Sequence, residues 1–250
     1  MTTALFTKTH ERDYRWLELL AKTVDKFAVG FDKWYIVLGS DNKPNINLSN
    51  IEVVYSVEPN PAHIKESPCL WSKEGSPVDG VGYNFQQVVK AQWYKYTDES
   101  TDAVLQLDSD CVITDMIYPH TVGINGRPLW IKRDWCKELY AIWGDPLEQF
   151  LGHKSSHEYM FNNVFLLTLE ATKGFNEFIS SKHSVSTEEY FMTHVTTEYN
   201  FFGAYLDNIC MHNYYMIENI PIWIPISKYW SWGDDSYVEA KESVDQLCPK

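Results

Sequence analysis

Two aspartates set two residues apart, in Asp108-Ser109-Asp110, are the groups of this 250-residue chain whose type and spacing best suit chemistry. They follow the strand-like run Ala103-Val104-Leu105-Gln106-Leu107, and in an extended backbone residues i and i+2 face the same side. Two carboxylates on one side at the carboxyl end of a buried strand make a hard-oxygen site suited to Mg²⁺ or Mn²⁺. Such strand ends are where open α/β sheets bind ligands. With few ligands from the protein, phosphate oxygens of a substrate would complete the shell, and the metal would neutralise charge on a departing diphosphate. An Asp-x-Asp arises by chance about once in a chain of this composition, so its setting carries the weight. A helix pattern and a strand precede it, and the strand-like Cys111-Val112-Ile113-Thr114 follows.

The elements that must position the pair are legible as periodicities. Ala4 to Thr7 reads as a short buried strand. From Tyr14 to Phe27, the apolar residues Trp16, Leu19, Leu20, Val24 and Phe27 recur at helical spacing. Trp34 to Leu38 and Val53 to Val57 are further strands, so the chain opens β-α-β-β, the beginning of an α/β sheet. Residues 58–83, rich in Pro and Gly, predict a long loop, and long loops in compact domains tend to be functional. A helix is predicted from Asn84 to about Tyr96, with Phe85, Val88, Val89 and Trp93 inward. Trp130 to Asp134 and Asn162 to Leu169 read as strands. Beyond Glu170 the pattern is mostly helical, clearest over Glu198 to Cys210, before a Pro- and Trp-rich stretch from Pro221 to Trp232.

Composition narrows the classes. Lys+Arg 21 against Asp+Glu 34 gives a net charge of −13, which argues against a basic nucleic-acid scaffold. Aromatics make up 15% of the chain, with 10 Trp and 16 Tyr, a surplus useful for stacking sugars or bases as well as for packing. No stretch approaches the roughly 18 apolar residues of a membrane span. The first residues reach charge at Lys8, unlike a signal peptide. Five cysteines without a Cys-x-x-Cys pair suggest neither a disulfide framework nor a zinc knuckle, so a reduced, cytoplasmic setting is expected.

The succession Tyr83-Asn84-Phe85-Gln86-Gln87-Val88-Val89-Lys90, then Val104 to Asp110, resembles GT-A-type nucleotide-diphospho-sugar glycosyltransferases. It is most similar to small bacterial and phage members with a Gln-Gln-x-x-Lys helix before an Asp-Ser-Asp. Glu198-Tyr199-Asn200-Phe201-Phe202-Gly203 resembles that group's Glu-Tyr-x-x-x-Gly segment. The likeness covers the first 115 residues well and the rest at islands. It implies a single GT-A-like α/β domain, a Rossmann-type mixed sheet flanked by helices. Residues 1–115 would form the nucleotide-sugar-binding half and residues 116–250 the acceptor-binding half. It further implies Asp110 as a direct ligand of Mn²⁺ or Mg²⁺, with Asp108 on metal or ribose. A late histidine, His212 or failing that His194, would complete the metal site. Thr7, Lys8 and Asp13 would hold the nucleoside. Gln86 and Lys90, four apart on one helix face, would reach the diphosphate or the donor sugar. UDP is the expected nucleotide by family resemblance alone.

Transfer needs a base for the attacking hydroxyl if the anomeric centre inverts, or a tightly ion-paired path or double displacement if it is retained. A carboxylate suits the base, and Glu198, opening the Glu-Tyr-Asn helix, is the candidate. The helix dipole favours an acid there in any case. Glu158 to Asn163 offers a second wall, with Asn162 and Asn163 able to bind sugar hydroxyls. Trp130, Trp223, Trp230 and Trp232 are candidate stacking platforms. The expected acceptor is a hydroxyl on a glycan or small molecule. A hydroxymethylated base in phage DNA is a further acceptor, its phosphates met by Arg127, Lys132, Arg133 and Lys137. Three other readings stand beside this one. Asp108-Ser109-Asp110-Cys111-Val112 fits the motif of haloacid-dehalogenase-type phosphatases, with Asp108 as nucleophile, although that motif belongs near an N-terminus. A sugar nucleotidyltransferase would need a Gly-rich loop where this chain has Thr7-Lys8-Thr9-His10. A non-catalytic carbohydrate-binding protein would leave the paired carboxylates unexplained.

Overall fold

Alternation along the strands and helical spacing between them convert directly into layers. The computed structural model describes residues 1–59, 80–160, 165–194, 197–210, 213–218, 224–229, 231 and 234–249. Its first half runs β1 (Thr3–Thr9), α1 (Tyr14–Phe27), β2 (Lys33–Leu38), β3 (Glu52–Val57), α2 (Gly80–Ala91), β4 (Ala103–Gln106) and β5 (Cys111–Ile113). Then come β6 (Gly123–Ile124), β7 (Arg127–Asp134), α3 (Lys137–Leu151), β8 (His157–Glu158), β9 (Phe165–Thr168) and α4 (Leu169–His183). Last are α5 (Thr187–Thr193), α6 (Glu198–Asn208), β10 (Tyr215–Glu218), β11 (Ile226–Lys228) and α7 (Asp234–Leu247).

The central sheet has the order β3-β2-β1-β4-β9, parallel throughout except for β9, which is antiparallel to β4. The fold is thus α/β with a mixed sheet flanked by helices. Smaller pairings extend it: β10-β7-β6, with β8 on β7, and β11 antiparallel to β5. Successive strand residues alternate between two cores. Ala4, Phe6, Val37, Val104 and Phe165 pack with Phe85, Val88 and Val89 of α2 and with α4, α5 and α6. Leu5, Ile36, Leu105 and Leu166 pack with Leu17, Leu20 and Val24 of α1. On its far side α1 turns Trp16 and Leu19 toward Ala240 and Val244 of α7. Strands β2 and β3 lie to one side of β1, with β4 and β9 to the other. The crevice above the carboxyl ends of β1 and β4 is therefore the switch point of the sheet, where α/β folds bind ligands.

Several expectations need correction. The helix read as Asn84–Tyr96 starts a turn earlier and ends at Ala91, whose carbonyl accepts from Asn176 Nδ2 at 2.9 Å; Trp93–Lys95 then form a separate 3₁₀ turn. Helices α3 and α7 lie where no helix was read. Trp130 is no platform: it is 1% exposed, 4.3 Å from the Phe165 ring by centroid, and part of the core. Three of the four basic residues of the span 127–137 have internal partners, while Lys137 is exposed. Arg127 donates to the Tyr214 carbonyl, Lys132 pairs with Asp207 at 3.0 Å, and Arg133 pairs with Glu158. Glu158 is fully buried and also accepts from the Met160 N–H, so it anchors β8 and does not form a wall. The two halves interlock, because β9 from the second hydrogen-bonds β4 from the first. Most of the expected loop, residues 60–79, lies outside the described residues, as do Asn162, Asn163, Trp223, Trp230 and Trp232. Among the described residues no helix is long and apolar enough to cross a membrane.

Candidate active site

Parity along β1 and β4 decides what enters the crevice above them. Phe6 pairs in register with Gln106 on the α2 side, so Lys8 and Asp108, two residues further on, emerge on that side. Thr7 faces α1 instead. It is fully buried, its hydroxyl accepts from Trp34 Nε1 at 3.0 Å, and the structure does not bring it to the crevice. Thr9, at the end of the strand, lines the crevice in its place.

The crevice is a cavity of about 310 Å³. Lys8, Thr9 and Asp108 to Asp110 form its sheet side, and Arg12 and Asp13 border it from the turn before α1. One face of α2 contributes Tyr83, Gln86, Gln87 and Lys90. The second half supplies Leu139 and Trp143 of α3, Met160, Thr197 to Tyr199, and Lys228 with Ser231. Of the residues selected from sequence, Lys8, Asp13, Gln86, Lys90, Asp108, Asp110 and Glu198 all meet here.

The aspartates converge by a turn, not by strand pleat. β4 ends at Gln106, and Cys111 N–H donates to the Asp108 carbonyl at 3.1 Å, so Ser109 and Asp110 form the bend. Strand β11 then fixes the bend from outside. Lys228 is opposite Cys111 in register, Tyr229 N–H donates to the Asp110 carbonyl at 2.8 Å, and Ser231 N–H donates to Asp110 Oδ2 at 3.1 Å. β5 itself is tied to α1, where the Thr23 hydroxyl accepts from Ile113 N–H at 3.1 Å.

A charged network fills the floor. Lys90 Nζ lies 2.7 Å from Asp108 Oδ1 and 2.8 Å from Glu198 Oε1. Lys228 Nζ bonds Asp108 Oδ2 and stands 3.8 Å from Asp110 Oδ1. The Tyr199 hydroxyl is 3.0 Å from both Asp108 oxygens and accepts from Lys90 at 3.1 Å. Glu198 is the first residue of α6, and its own N–H donates to Gln87 Oε1 at 3.0 Å. Helix α2 therefore sets both the side chain and the backbone of Glu198. Lys8 is engaged separately, with Glu58 at 3.1 Å.

Three carboxylates, Asp108, Asp110 and Glu198, face two ammoniums, Lys90 and Lys228, which leaves one negative charge in excess. Burial alone would raise Asp108, but Lys228 and Lys90 outweigh it and hold its carboxyl far below the usual range. The excess falls on the other two. Asp110 is pushed up to about 6 by burial and by the Asp108 charge, against the pull of Lys228. Glu198 is also raised, by burial first and by Asp108, with Lys90 opposing. Burial would lower both lysines, yet their carboxylate partners carry them above the ordinary value.

The donor chemistry suits a hard divalent cation: paired carboxylates, one surplus negative charge, and Asp110 Oδ1 buried with no hydrogen-bond partner among the described residues. His212, the expected third ligand, lies outside the described residues. His194 stacks on Tyr190 at 4.3 Å between ring centroids and does not line the cavity. Elsewhere Asp134, His157 and Glu218 come together across β7, β8 and β10, with Asp134 and Glu218 exposed. Sequence reasoning missed Lys228, Tyr199, Trp143 and the backbone role of Gln87. Tyr199 and Gln87 stood inside the quoted motifs, whereas Lys228 had no local signal. Neither a scan against protein-family models nor a search of curated proteins found a match for this chain.

Proposed function

We propose that the chain is a glycosyltransferase that moves a sugar from a nucleotide diphosphate sugar, a UDP-sugar by resemblance, to a hydroxyl of a glycan or small acceptor. One observation carries this reading: Asp108, Asp110, Lys90 and Glu198 converge in a cavity at the switch point of the sheet, after appearing as separate motifs in the sequence. The volume, about 310 Å³, is at the lower end of the range for small-molecule sites. The mixed α/β sheet is compatible with a GT-A-like fold.

In this reading the sheet side holds the donor and the α3 wall faces the acceptor. Thr9, Arg12 and Asp13 border the nucleoside end. Leu139, Trp143 and Met160 give an apolar surface for the acceptor. Glu198, its carboxyl raised by burial, takes the proton of the acceptor hydroxyl. The hydroxyl oxygen forms the new glycosidic bond as the bond from sugar to diphosphate breaks, and its electron pair leaves with the nucleoside diphosphate. Lys90, between Asp108 and Glu198, orients the base. A divalent cation bound at Asp110 and Asp108 would neutralise charge on the departing diphosphate.

The phosphatase reading gains no support from the geometry. Lys90 and Lys228 hold the two Asp108 oxygens, contacts that serve either reading, so nothing in the geometry favours a nucleophilic Asp108 over the transferase. The test is calorimetric binding of UDP, GDP and their sugars, with and without Mn²⁺, alongside turnover of the donor that binds. Glu198→Gln should leave donor affinity within a factor of a few while lowering turnover by roughly 10²–10⁴. Absence of nucleotide binding under every condition would overturn the proposal.

A further inference from the structure

The Lys228 ammonium occupies the place between Asp108 and Asp110 that an ion held by both carboxylates would take. It bonds Asp108 Oδ2 and stands 3.8 Å from Asp110 Oδ1, which accepts no hydrogen bond from any described residue. The other Asp108 oxygen holds Lys90 at 2.7 Å. Lys228 is no surface chain that has fallen inward. Its side chain is 15% exposed, and its backbone is fixed by the β11–β5 pairing on one side and by the Tyr229 and Ser231 N–H bonds to Asp110 on the other. An ammonium and a divalent cation at one carboxylate repel, and the repulsion is strongest where water is excluded.

We propose that Lys228 holds the Asp108–Asp110 pair against divalent cations in the free protein, so that metal enters only as this ion pair opens. The proposal rests on the transferase reading, which makes these carboxylates the metal pair. It makes Lys228 a positioning and gating residue, coupling metal entry to release of its ammonium from Asp108. Lys228 gives Asp108 a counter-ion while no metal is bound and so limits the excess negative charge on the floor of the cavity.

The experiment is Mn²⁺ binding to nucleotide-free protein, followed by calorimetry and by the loss of the free-ion electron paramagnetic resonance signal. Wild type should bind weakly at the pair. Lys228→Met should bind tighter by roughly 10–100-fold, the size of effect exerted by groups bonded to metal ligands. Lys228→Arg should stay close to wild type. The added site should vanish in the double variant Asp110→Asn/Lys228→Met, whereas binding at Asp134, His157 and Glu218 would survive it. Equal affinity in wild type and Lys228→Met would overturn the proposal. So would tight binding by wild type that Asp110→Asn abolishes, a result that needs no change at Lys228. UDP and GDP titrations on the same samples separate the two ideas. Nucleotide binding without a gain in Lys228→Met sinks the gating role alone. A gain without any nucleotide binding supports the gate and sinks the transferase.

Discussion

Replacing Asp110 by Asn should stabilise the protein at neutral pH and leave it almost unchanged at pH 4. Asp110 is 6% exposed, and its carboxyl is pushed from the usual 3.8 to about 6, by burial foremost and by the Asp108 charge, with Lys228 opposing. A raised carboxyl means that the native state keeps its proton over a range where the unfolded chain has lost it. Its contribution is therefore favourable below the unfolded value near 4 and is lost as pH rises to 6. A displacement of about 2 units corresponds to about 3 kcal/mol of native-state penalty above pH 6. Asn is close in shape, keeps an oxygen for the Ser231 N–H, and carries no charge to desolvate. Urea denaturation at pH 4, 5, 6 and 7.5 would measure the difference between variant and wild type. It should grow from near zero to about 3 kcal/mol, with midpoint near pH 5. The depressed Asp108 carboxyl acts in both proteins and largely cancels. A difference that stays flat with pH, or a variant less stable at pH 7.5, would refute the argument that Asp110 carries the surplus charge. Stability gained where a binding group is lost is the usual trade at functional sites.

Two further substitutions test the packing around the same cavity. Lys90→Met removes the counter-ion shared by the partly buried Asp108 and the buried Glu198, and should cost ~3–5 kcal/mol at pH 7, with part recovered by adding Glu198→Gln. A loss under ~1 kcal/mol by urea denaturation would mean that water reaches the pair. Gly203→Ala would set a Cβ 2.5 Å from Trp130 Nε1 and 2.6 Å from Tyr159 Cγ, so α6 must back away from β7 and β8. A thermal melt should show the ~1–3 kcal/mol typical of an overpacked core, and an unchanged melting temperature would count against this close approach.

Local patterns in the sequence went far where structure is local. The helical spacing from Trp16 to Phe27 marks α1 to its ends, because one stripe meets the sheet and its flank meets α7. The β-α-β-β opening reads correctly because β1 and β2 are buried on both faces, and the half-buried edge strand β3 is rich in Val and Tyr. Helix α3 carries Pro146 in its interior and α7 is largely polar, so neither shows a clean stripe. The likeness around Glu198 to Gly203 gains a physical reason, since Glu198 meets Lys90 and Gly203 lets α6 close on Trp130 and Tyr159. Thr7 was misplaced because strand parity cannot be read without knowing which face holds which helix. Lys228 is invisible for a different reason: its role arises only through the pairing of β11 with β5, and nothing near it in the chain announces that partner.

The bond between Asp108 and Lys228 spans 120 residues of chain, which gives it a meaning in time as well as in space. At ordinary rates of synthesis, roughly 5–20 residues per second, Lys228 is joined to the chain about 6–24 s after Asp108. During that interval β1 to β4 can pair and bury their apolar faces, but their carboxylate crown lacks the ammonium of β11. Glu198 also arrives late, 90 residues after Asp108. A nascent chain can thus own strands β1 to β4 well before it owns the site, whose second ammonium arrives only when β11 docks.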